Sequence, residues 1–268
     1  MKTSTMKIIV CLLFVVMVLG ISSYAVNEGK KYTVHDKTRE NPTVVKPPRR
    51  LGQPPSDAIV LFDGEDTSEW VSEKDGGNVK WNVENGYMEV NKKVGGIRTK
   101  KTFSNCQLHI EWRTPEGIDP KITDQKRSNS GVFLMDKYEV QVLDSFTENN
   151  YKDNRTYADG QAAALYGQHP PIVNVCRKAG QWQSYDISFL RPIFDENGKI
   201  VRKARITLLH NGVVVHNNLE IEGTTSHKKK AAYTPHESGY IHLQDHNNPI
   251  RFRNIWIREL PEQPYLIQ

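Results

Sequence analysis

The sequence is poor in the residues that mark several large protein classes. It has three cysteines in 268 residues, too few for a disulfide-rich scaffold. It contains neither a Cys-x-x-Cys pair nor a His-Glu-x-x-His motif, which disfavours a dedicated zinc site. No internal repeat of fixed period is visible, which argues against a propeller. With 25% charged and 37% hydrophobic residues, the composition also excludes low-complexity, collagen-like and multi-span membrane proteins.

Long apolar runs are scarce as well, and the clearest one lies at the N-terminus. Residues 8–19 are apolar, Lys2 and Lys7 precede them, and Ser23-Tyr24-Ala25 follows. This order predicts a secretory signal peptide, residues 1–25, that is cleaved after Ala25. The run is short for a bilayer span of about 20 residues. We therefore expect a secreted or periplasmic chain with no membrane span after cleavage.

The positive charge of the chain comes partly from this segment. Removing residues 1–25 takes away two lysines and no acidic residue, so the formal net charge falls from +5 to +3. No clustered basic face is apparent, and we expect no nucleic-acid partner. The run at residues 228–230 consists of three lysines and is interpreted as a solvated loop.

The remaining chain divides into a tether and one domain. Residues 26–56 are polar and carry five prolines without a sustained apolar period, which predicts an extended tether. Residues 57–268 are then a single folded domain. Cys106 and Cys176 lie in that domain, and the sequence leaves open whether they form a disulfide.

Within the domain, apolar residues alternate with polar ones in short segments, which indicates half-buried strands rather than helices. Asn-Gly pairs between segments favour tight hairpins because both residues tolerate a positive φ. The fold class is therefore all-β, an antiparallel β-sandwich of jelly-roll type. The predicted strands are residues 58–62, 79–83, 87–90, 107–114, 131–135, 138–143, 183–190, 204–209, 213–216, 240–243 and 250–257.

In the last predicted strand, the apolar residues do not all fall on one face of a regular alternation. Phe252 is out of step with Ile255 and Ile257. A β-bulge near Arg253-Asn254 would bring all three apolar side chains into the core.

The strand at residues 138–143 carries the first candidate site residues. Glu139 and Gln141 share the face opposite Tyr138 and Val140, although a plain solvent-facing pair would show the same pattern. A two-carboxylate glycosidase needs its carboxyl groups close together. An unbroken strand would place Glu139 and Asp144 on opposite faces, so ordinary two-carboxylate hydrolysis is disfavoured.

Two further segments are rich in polar groups. His242, Gln244 and His246 alternate onto one face of the predicted strand at residues 240–243 and its extension, where histidine could act as an acid or a base. Asn129 precedes Gly131, and a glycine in a strand marks either a bulge or close approach of a ligand.

Several short motifs follow one another between residues 57 and 260. Their order and combination resemble the 3-keto-disaccharide hydrolase domain family, whose members are similar to concanavalin A-like jelly rolls from secreted and periplasmic bacterial proteins. The motifs are Leu61-Phe62-Asp63-Gly64, Glu111-Trp112-Arg113, Asn129-Ser130-Gly131-Val132-Phe133-Leu134, Tyr138-Glu139-Val140-Gln141-Val142-Leu143-Asp144, Ala164-Leu165-Tyr166, Gly180-Gln181-Trp182, Leu243-Gln244-Asp245-His246 and Phe252-Arg253-Asn254-Ile255.

The resemblance implies a glycoside or oligosaccharide substrate that is already oxidised at C3. A ketone at C3 acidifies the C2 proton, so that one base and one proton donor suffice for elimination. Glu139 and His246 are then the candidate catalytic residues, in either order. The candidate substrate-binding residues are Asn129, Gln141, Asp144 and Gln244.

The sequence indicates no required cofactor, and it leaves open whether a divalent ion is needed. It also leaves open whether the bond is cleaved by elimination or by direct hydrolysis. Protein partners are unknown from the sequence. A non-catalytic carbohydrate-binding sandwich is the alternative function. That alternative requires exposed coplanar aromatic rings rather than a buried Glu/His cluster.

Overall fold

The computed structural model describes residues 41–119, 121–147 and 156–262. These residues belong to one compact unit that spans residues 40–263. The predicted signal peptide, the first part of the predicted tether and the last six residues lie outside the described residues.

The described residues are built almost entirely from β-strands. Short 3₁₀ helices at Asp124–Lys126 and Ala158–Gly160 interrupt them. In chain order the strands are β1 (Ile59–Phe62), β2 (Trp70–Ser72), β3 (Asn82–Glu84), β4 (Tyr87–Glu89), β5 (Ile97–Thr99), β6 (Cys106–Arg113), β7 (Ser130–Leu134), β8 (Tyr138–Val142), β9 (Gln183–Leu190), β10 (Ile193–Phe194), β11 (Ile200–Arg202), β12 (Arg205–His210), β13 (Val213–Glu220), β14 (His242–Leu243) and β15 (Arg251–Glu259).

Two antiparallel sheets form the molecule, together with a small β10–β11 hairpin. The larger sheet has eight strands in the order β13-β12-β9-β6-β15-β4-β3, with β1 paired to β15. The smaller has five strands in the order β2-β5-β14-β7-β8. The predicted all-β antiparallel sandwich is therefore confirmed.

The core forms because alternate side chains of both sheets are apolar. On β6, Leu108, Ile110 and Trp112 are fully buried, and Tyr185 and Ile187 lie beside them on β9. Each fully buried side chain of this size contributes about 1.5–3 kcal/mol through removal from water. Tyr138 of the smaller sheet contacts Phe189 of the larger one, with ring centres 5.6 Å apart. The alternation that predicted the strands is thus the alternation that fills the core.

All eleven predicted strands overlap strands of the structure, and four short strands escaped prediction. β2, β5, β10 and β11 have two or three residues each, too few for an alternation to show. The predicted bulge is confirmed: the β15–β6 register shifts between Arg253 and Trp256. Asn254 takes a φ of 45° there, and Phe252, Ile255 and Ile257 are all fully buried.

The end of the predicted tether packs against the larger sheet. The Gly52 carbonyl accepts hydrogen bonds from Trp256 Nε1 at 2.9 Å and from Asn254 Nδ2 at 2.7 Å. Residues 46 and 56 also hydrogen bond to each other through their backbones. The chain therefore joins the sandwich several residues before its first strand.

Cys106 and Cys176 are both buried free thiols. Cys106 lies opposite Phe189 at one end of β9, whereas the Cys176 sulfur accepts a hydrogen bond from Gln183 at the other end. Six residues of strand span about 20 Å, far beyond the roughly 7 Å limit between the Cα atoms of a disulfide. The two cysteines therefore do not pair.

Across the part of the chain that the structure describes, no helix is long and apolar enough to cross a lipid bilayer.

Candidate functional site

The smaller sheet presents polar residues on its outer face, away from the larger sheet. On β8, Tyr138, Val140 and Val142 enter the core, and Glu139 and Gln141 therefore point outward, as the alternation predicts. All five strand residues are nevertheless buried. Loops must cover this face, so its polar groups do not form an ordinary solvated surface.

The strand register aligns several functional side chains in one row across this face. Arg98 pairs with His242, His242 with Phe133, and Phe133 with Glu139. Directly paired residues of antiparallel strands project to the same face. Beyond β8, the Tyr166 backbone N–H donates to the Glu139 carbonyl at 3.1 Å, which places Tyr166 at the end of the row.

Two glycines make room for the charged groups of this row. A Cβ at Gly131 would lie 2.6 Å from Glu139 Oε1, and a Cβ at Gly96 would lie 2.6 Å from His242 Nε2. Both distances are below 3.0 Å, a range in which nonbonded contacts of Cβ atoms are essentially never seen, so the neighbouring group would have to move. The functional meaning of the Gly131 motif is therefore steric, because the missing side chain is the space that the Glu139 carboxyl group occupies.

Glu139 has the electrostatics of an acid–base group. Its exposed fraction is 7%. Burial raises its pKa to about 8, against a smaller opposing effect of the positive charge on His242. A carboxyl group whose pKa lies near neutrality can both accept and return a proton at physiological pH.

His242 is the nearest cationic partner of Glu139 in the row. Burial alone would lower its pKa, but Asp136 and Glu73 outweigh burial and raise it to about 9. Asp136 Oδ1 lies 2.9 Å from Nδ1, and Glu73 Oε2 lies 3.2 Å from Nε2, although neither is aligned for a hydrogen bond. The ring also stacks on Phe133, with centres 4.8 Å apart. His242 is thus held as a fixed imidazolium.

Amide groups flank the carboxyl group. Gln141 Nε2 donates to Asn129 Oδ1 at 2.9 Å and to the Ser130 carbonyl at 3.0 Å. Gln141 Oε1 and Gln244 Oε1 are both buried without a hydrogen-bond partner among the described residues. Because a buried acceptor left unpaired costs about 1–3 kcal/mol, these two oxygens are suited to receive hydroxyl groups of a ligand.

The other two candidates lie apart from this cluster. Asp144 is buried and forms an ion pair with Arg127, a contact that fixes the end of β8. His246 is exposed in the loop after β14, and no described residue hydrogen bonds its imidazole. The structure thus brings together Glu139, Gln141, Asn129 and Gln244, and it leaves Asp144 and His246 outside.

His242, Arg98 and Tyr166 are site residues that the sequence analysis did not select. His242 shares a strand face with Gln244, so its alternation was a usable signal. Arg98 lies on a strand too short to recognise, and Tyr166 lies in a loop whose position depends on tertiary contacts. Within the described ranges, no three His, Cys, Asp or Glu side chains are grouped so that they could hold a metal ion.

Residues 57–258 match the family model described as the 3-keto-alpha-glucoside-1,2-lyase-like domain. A 3-keto-disaccharide hydrolase of Bacteroides thetaiotaomicron VPI-5482 is 23% identical, over 75% of this chain and 78% of that protein.

Two solved structures from Parabacteroides distasonis, each provisionally named a glycosyl hydrolase, are similar in fold. The first is 44% identical, with a TM-score of 0.78, and covers 84% of this chain and 95% of its own. The second is 20% identical, with a TM-score of 0.55, and covers 76% of this chain and 94% of its own. At that identity the second supports the sandwich fold alone.

Proposed function

Because the chain belongs to the 3-keto-alpha-glucoside-1,2-lyase-like domain family, and is thus a carbohydrate-active protein of glycosyl hydrolase type, we propose that it cleaves 3-keto-glucosides or 3-keto-disaccharides. The observation that carries the proposal is the buried Glu139 carboxyl group beside the His242 imidazolium. One buried acid–base group next to a fixed positive charge suits elimination better than two-carboxylate hydrolysis.

In the proposed reaction Glu139 acts on the C2 proton. The ketone at C3 acidifies that proton, and the Glu139 carboxylate accepts it as electron density moves onto the C3 oxygen. The C1–O bond then breaks, a C1–C2 double bond forms, and the leaving oxygen takes up a proton. Water adds to the double bond in a later step to give the free keto sugar.

His242 stabilises the negative charge that develops on the C3 oxygen. Both ring nitrogens face exposed carboxylates, so the ring keeps its protons, and its positive charge, which Glu73 and Asp136 partly neutralise, acts on the C3 oxygen. The unpaired oxygens of Gln141 and Gln244 accept hydrogen bonds from sugar hydroxyls, and Asn129 orients Gln141. The proton donor to the leaving oxygen is either protonated Glu139 or His246 at the exposed rim.

The first experiment compares a 3-keto-disaccharide with its unoxidised parent. We expect turnover of the keto compound only, and a product that carries deuterium at C2 after reaction in D₂O. Equal turnover of both sugars would contradict keto specificity, and cleavage without C2 exchange would favour direct hydrolysis. Saturable binding of both without any product would instead favour the carbohydrate-binding alternative.

Variants then separate the roles of the two histidines. Glu139→Gln and His242→Gln should each lower kcat by about a hundredfold or more, because they remove the base and the stabilising charge. If His246 is the acid, His246→Ala should slow release of a sugar, a poor leaving group, but should not slow release of 4-nitrophenol. An equal loss on both leaving groups would remove His246 from proton donation.

A further inference from the structure

A cleft of about 270 Å³ lies beside Glu139, beyond the edge strand β8. Three segments line it: residues 157–159, residues 166–167 and residues 226–229. Neither the family match nor the relatives assign a role to this cleft.

The peptide of Glu139 itself holds two walls of the cleft in place. The Glu139 N–H donates to Thr225 Oγ1 at 3.0 Å, directly before the segment at residues 226–229. The Glu139 carbonyl accepts from the Tyr166 N–H at 3.1 Å. Burial, a hydrogen bond that the Tyr166 hydroxyl donates to Tyr157, and the nearby charge of Glu139 together raise the pKa of Tyr166. The cleft is therefore next to Glu139, because Tyr166 lines it and is hydrogen bonded to the Glu139 peptide.

Aromatic rings form part of the wall. The hydroxyl groups of Tyr157 and Tyr166 lie 2.8 Å apart, and the Tyr166 hydroxyl lies 3.0 Å from His227 Nδ1. The Tyr166 and His227 rings stack with centres 6.5 Å apart. Linked rings of this kind give a rigid surface for the flat face of a sugar or an aryl group.

The charge of the opposite wall is positive. Lys228 and Lys229 are exposed and line the cleft, and no carboxylate of the described residues lies within ion-pair distance of either. Lys228 takes a φ of 54°, a conformation that non-glycine residues rarely adopt. Asp159 is the single acidic residue among those that line the cleft, so the two lysines leave an excess of positive charge.

We propose that this cleft is the subsite for the leaving group and that it selects leaving groups with a negative charge, such as an acidic sugar or a carboxylated aryl group. The ring of the leaving group packs against Tyr157 and Tyr166, and its acidic group pairs with Lys228 and Lys229. The identification of the cleft as a leaving-group subsite rests on the proposed function, whereas the preference for an anion rests on the residues of the cleft alone. Two of the three lysines that the sequence analysis interpreted as a solvated loop, Lys228 and Lys229, thereby acquire a role.

The test uses 4-carboxyphenyl and phenyl glucosides, in both anomers and in unoxidised and 3-keto forms. Calorimetry with the unoxidised compounds measures binding without reaction. We expect the carboxylated compound to bind about three to ten times more tightly, and the kcat/KM values of the 3-keto forms to show the same ratio.

The variants are Lys228→Asn with Lys229→Gln, and Lys230→Ala as the control. Asparagine tolerates the left-handed backbone at position 228, and Lys230 does not line the cleft. The double variant should lose the preference, in binding and in turnover, while the control retains it. The preference of each protein is the ratio of its values for the two compounds. The two leaving groups differ in acidity by the same amount in every protein, so this difference cancels when the ratios of the variants are compared.

The outcomes separate this proposal from the proposed function. Equal affinity for the two glucosides, a preference that survives in the double variant, or its equal loss in the Lys230 control would each overturn the anionic subsite. A lysine-dependent binding preference without turnover of any 3-keto form would contradict the proposed function and leave the subsite standing.

Discussion

Glu139 and His242 are the two residues whose ionisation should govern catalysis. The pKa values are about 8 for Glu139 and about 9 for His242. Because the groups interact, the kinetic values belong to the pair. Glu73 and Asp136 face His242, Arg98 pairs with His242 on the neighbouring strand, and Tyr166 lies beside Glu139, so these groups are the titratable and charged neighbours of the pair.

We therefore predict a bell-shaped dependence of kcat/KM on pH. Activity should rise as pH passes about 8 and the Glu139 carboxylate forms, and it should fall as pH passes about 9 and His242 loses its charge. Steady-state kinetics between pH 6 and 10.5 test this. His242→Gln should abolish the alkaline decrease, and a profile that keeps it would exclude His242 as its source.

Burial of Glu139 should also cost stability above neutral pH. Its folded pKa of about 8 exceeds the ordinary value of 4.5. As pH rises above 4.5 the unfolded chain ionises first, which favours unfolding, and the cost is complete above about pH 8. Glu139→Gln should therefore raise Tm by about 3–6 °C at pH 8.5 and leave it unchanged at pH 4. Thermal unfolding at both values measures this, and a lower Tm at pH 8.5 would refute it.

Site residues were predictable where a strand pattern fixed their direction. The alternation in residues 138–143 correctly predicted that the side chains of Glu139 and Gln141 lie on the same face. His246 follows a strand that ends at Leu243, and the alternation of that strand does not extend to it. Tyr166 was unpredictable from spacing, because only a backbone hydrogen bond across a long loop brings it to Glu139.

At the scale of the strands, the site depends on the tight approach of β7 and β8. Gly131 on β7 faces Gln141 on β8, and the Glu139 carboxyl group leans into the space above it. The backbone of Gly131 is outside the left-handed region. An alanine there is therefore hindered by the Glu139 side chain and not by the backbone conformation.

We predict that Gly131→Ala lowers kcat by about ten- to a hundredfold, because it displaces Glu139, while Tm falls by less than about 10 °C. Gly77→Ala is the matched control, since Gly77 is exposed and also outside the left-handed region. Kinetics and thermal unfolding of both variants check this. Wild-type kcat in Gly131→Ala would show that the position of Glu139 is not critical.

Longer strands and tight turns were also predictable. β9 has the bounds that the sequence predicts, and the turns at Asn85-Gly86 and Asn211-Gly212 have positive φ at both residues, as the hairpins require. The sheet order was not predictable, because β14 lies between β5 and β7, a pairing of strands remote in sequence. That order is what brings His242 close to Glu139.

At the scale of the whole molecule, the two sheets have different outer surfaces. The outer face of the larger sheet carries an ion pair between His109 and Asp186 at 2.6 Å, and the Gly52 segment packs over the neighbouring Trp256. Further ion pairs cross this sheet, among them Arg251–Glu89 and Arg253–Glu111, and no disulfide joins Cys106 to Cys176.

We predict that a reducing agent leaves Tm unchanged, since Cys106 and Cys176 are free and burial raises the pKa of both to about 12. Thermal unfolding with and without dithiothreitol measures this. A native disulfide typically contributes about 2–4 kcal/mol, so a decrease of several degrees in reductant would reveal a bond that the structure does not contain.

The glycine beneath the Glu139 carboxyl group has an evolutionary consequence. Glycine and alanine codons differ by a single nucleotide, so one point mutation at position 131 could strongly weaken the proposed reaction and leave the sandwich intact. Such a protein would keep the amide groups and the aromatic cleft that are proposed to contact sugars. Gene copies with alanine at this position are therefore the place to look for sugar receptors that descend from an enzyme.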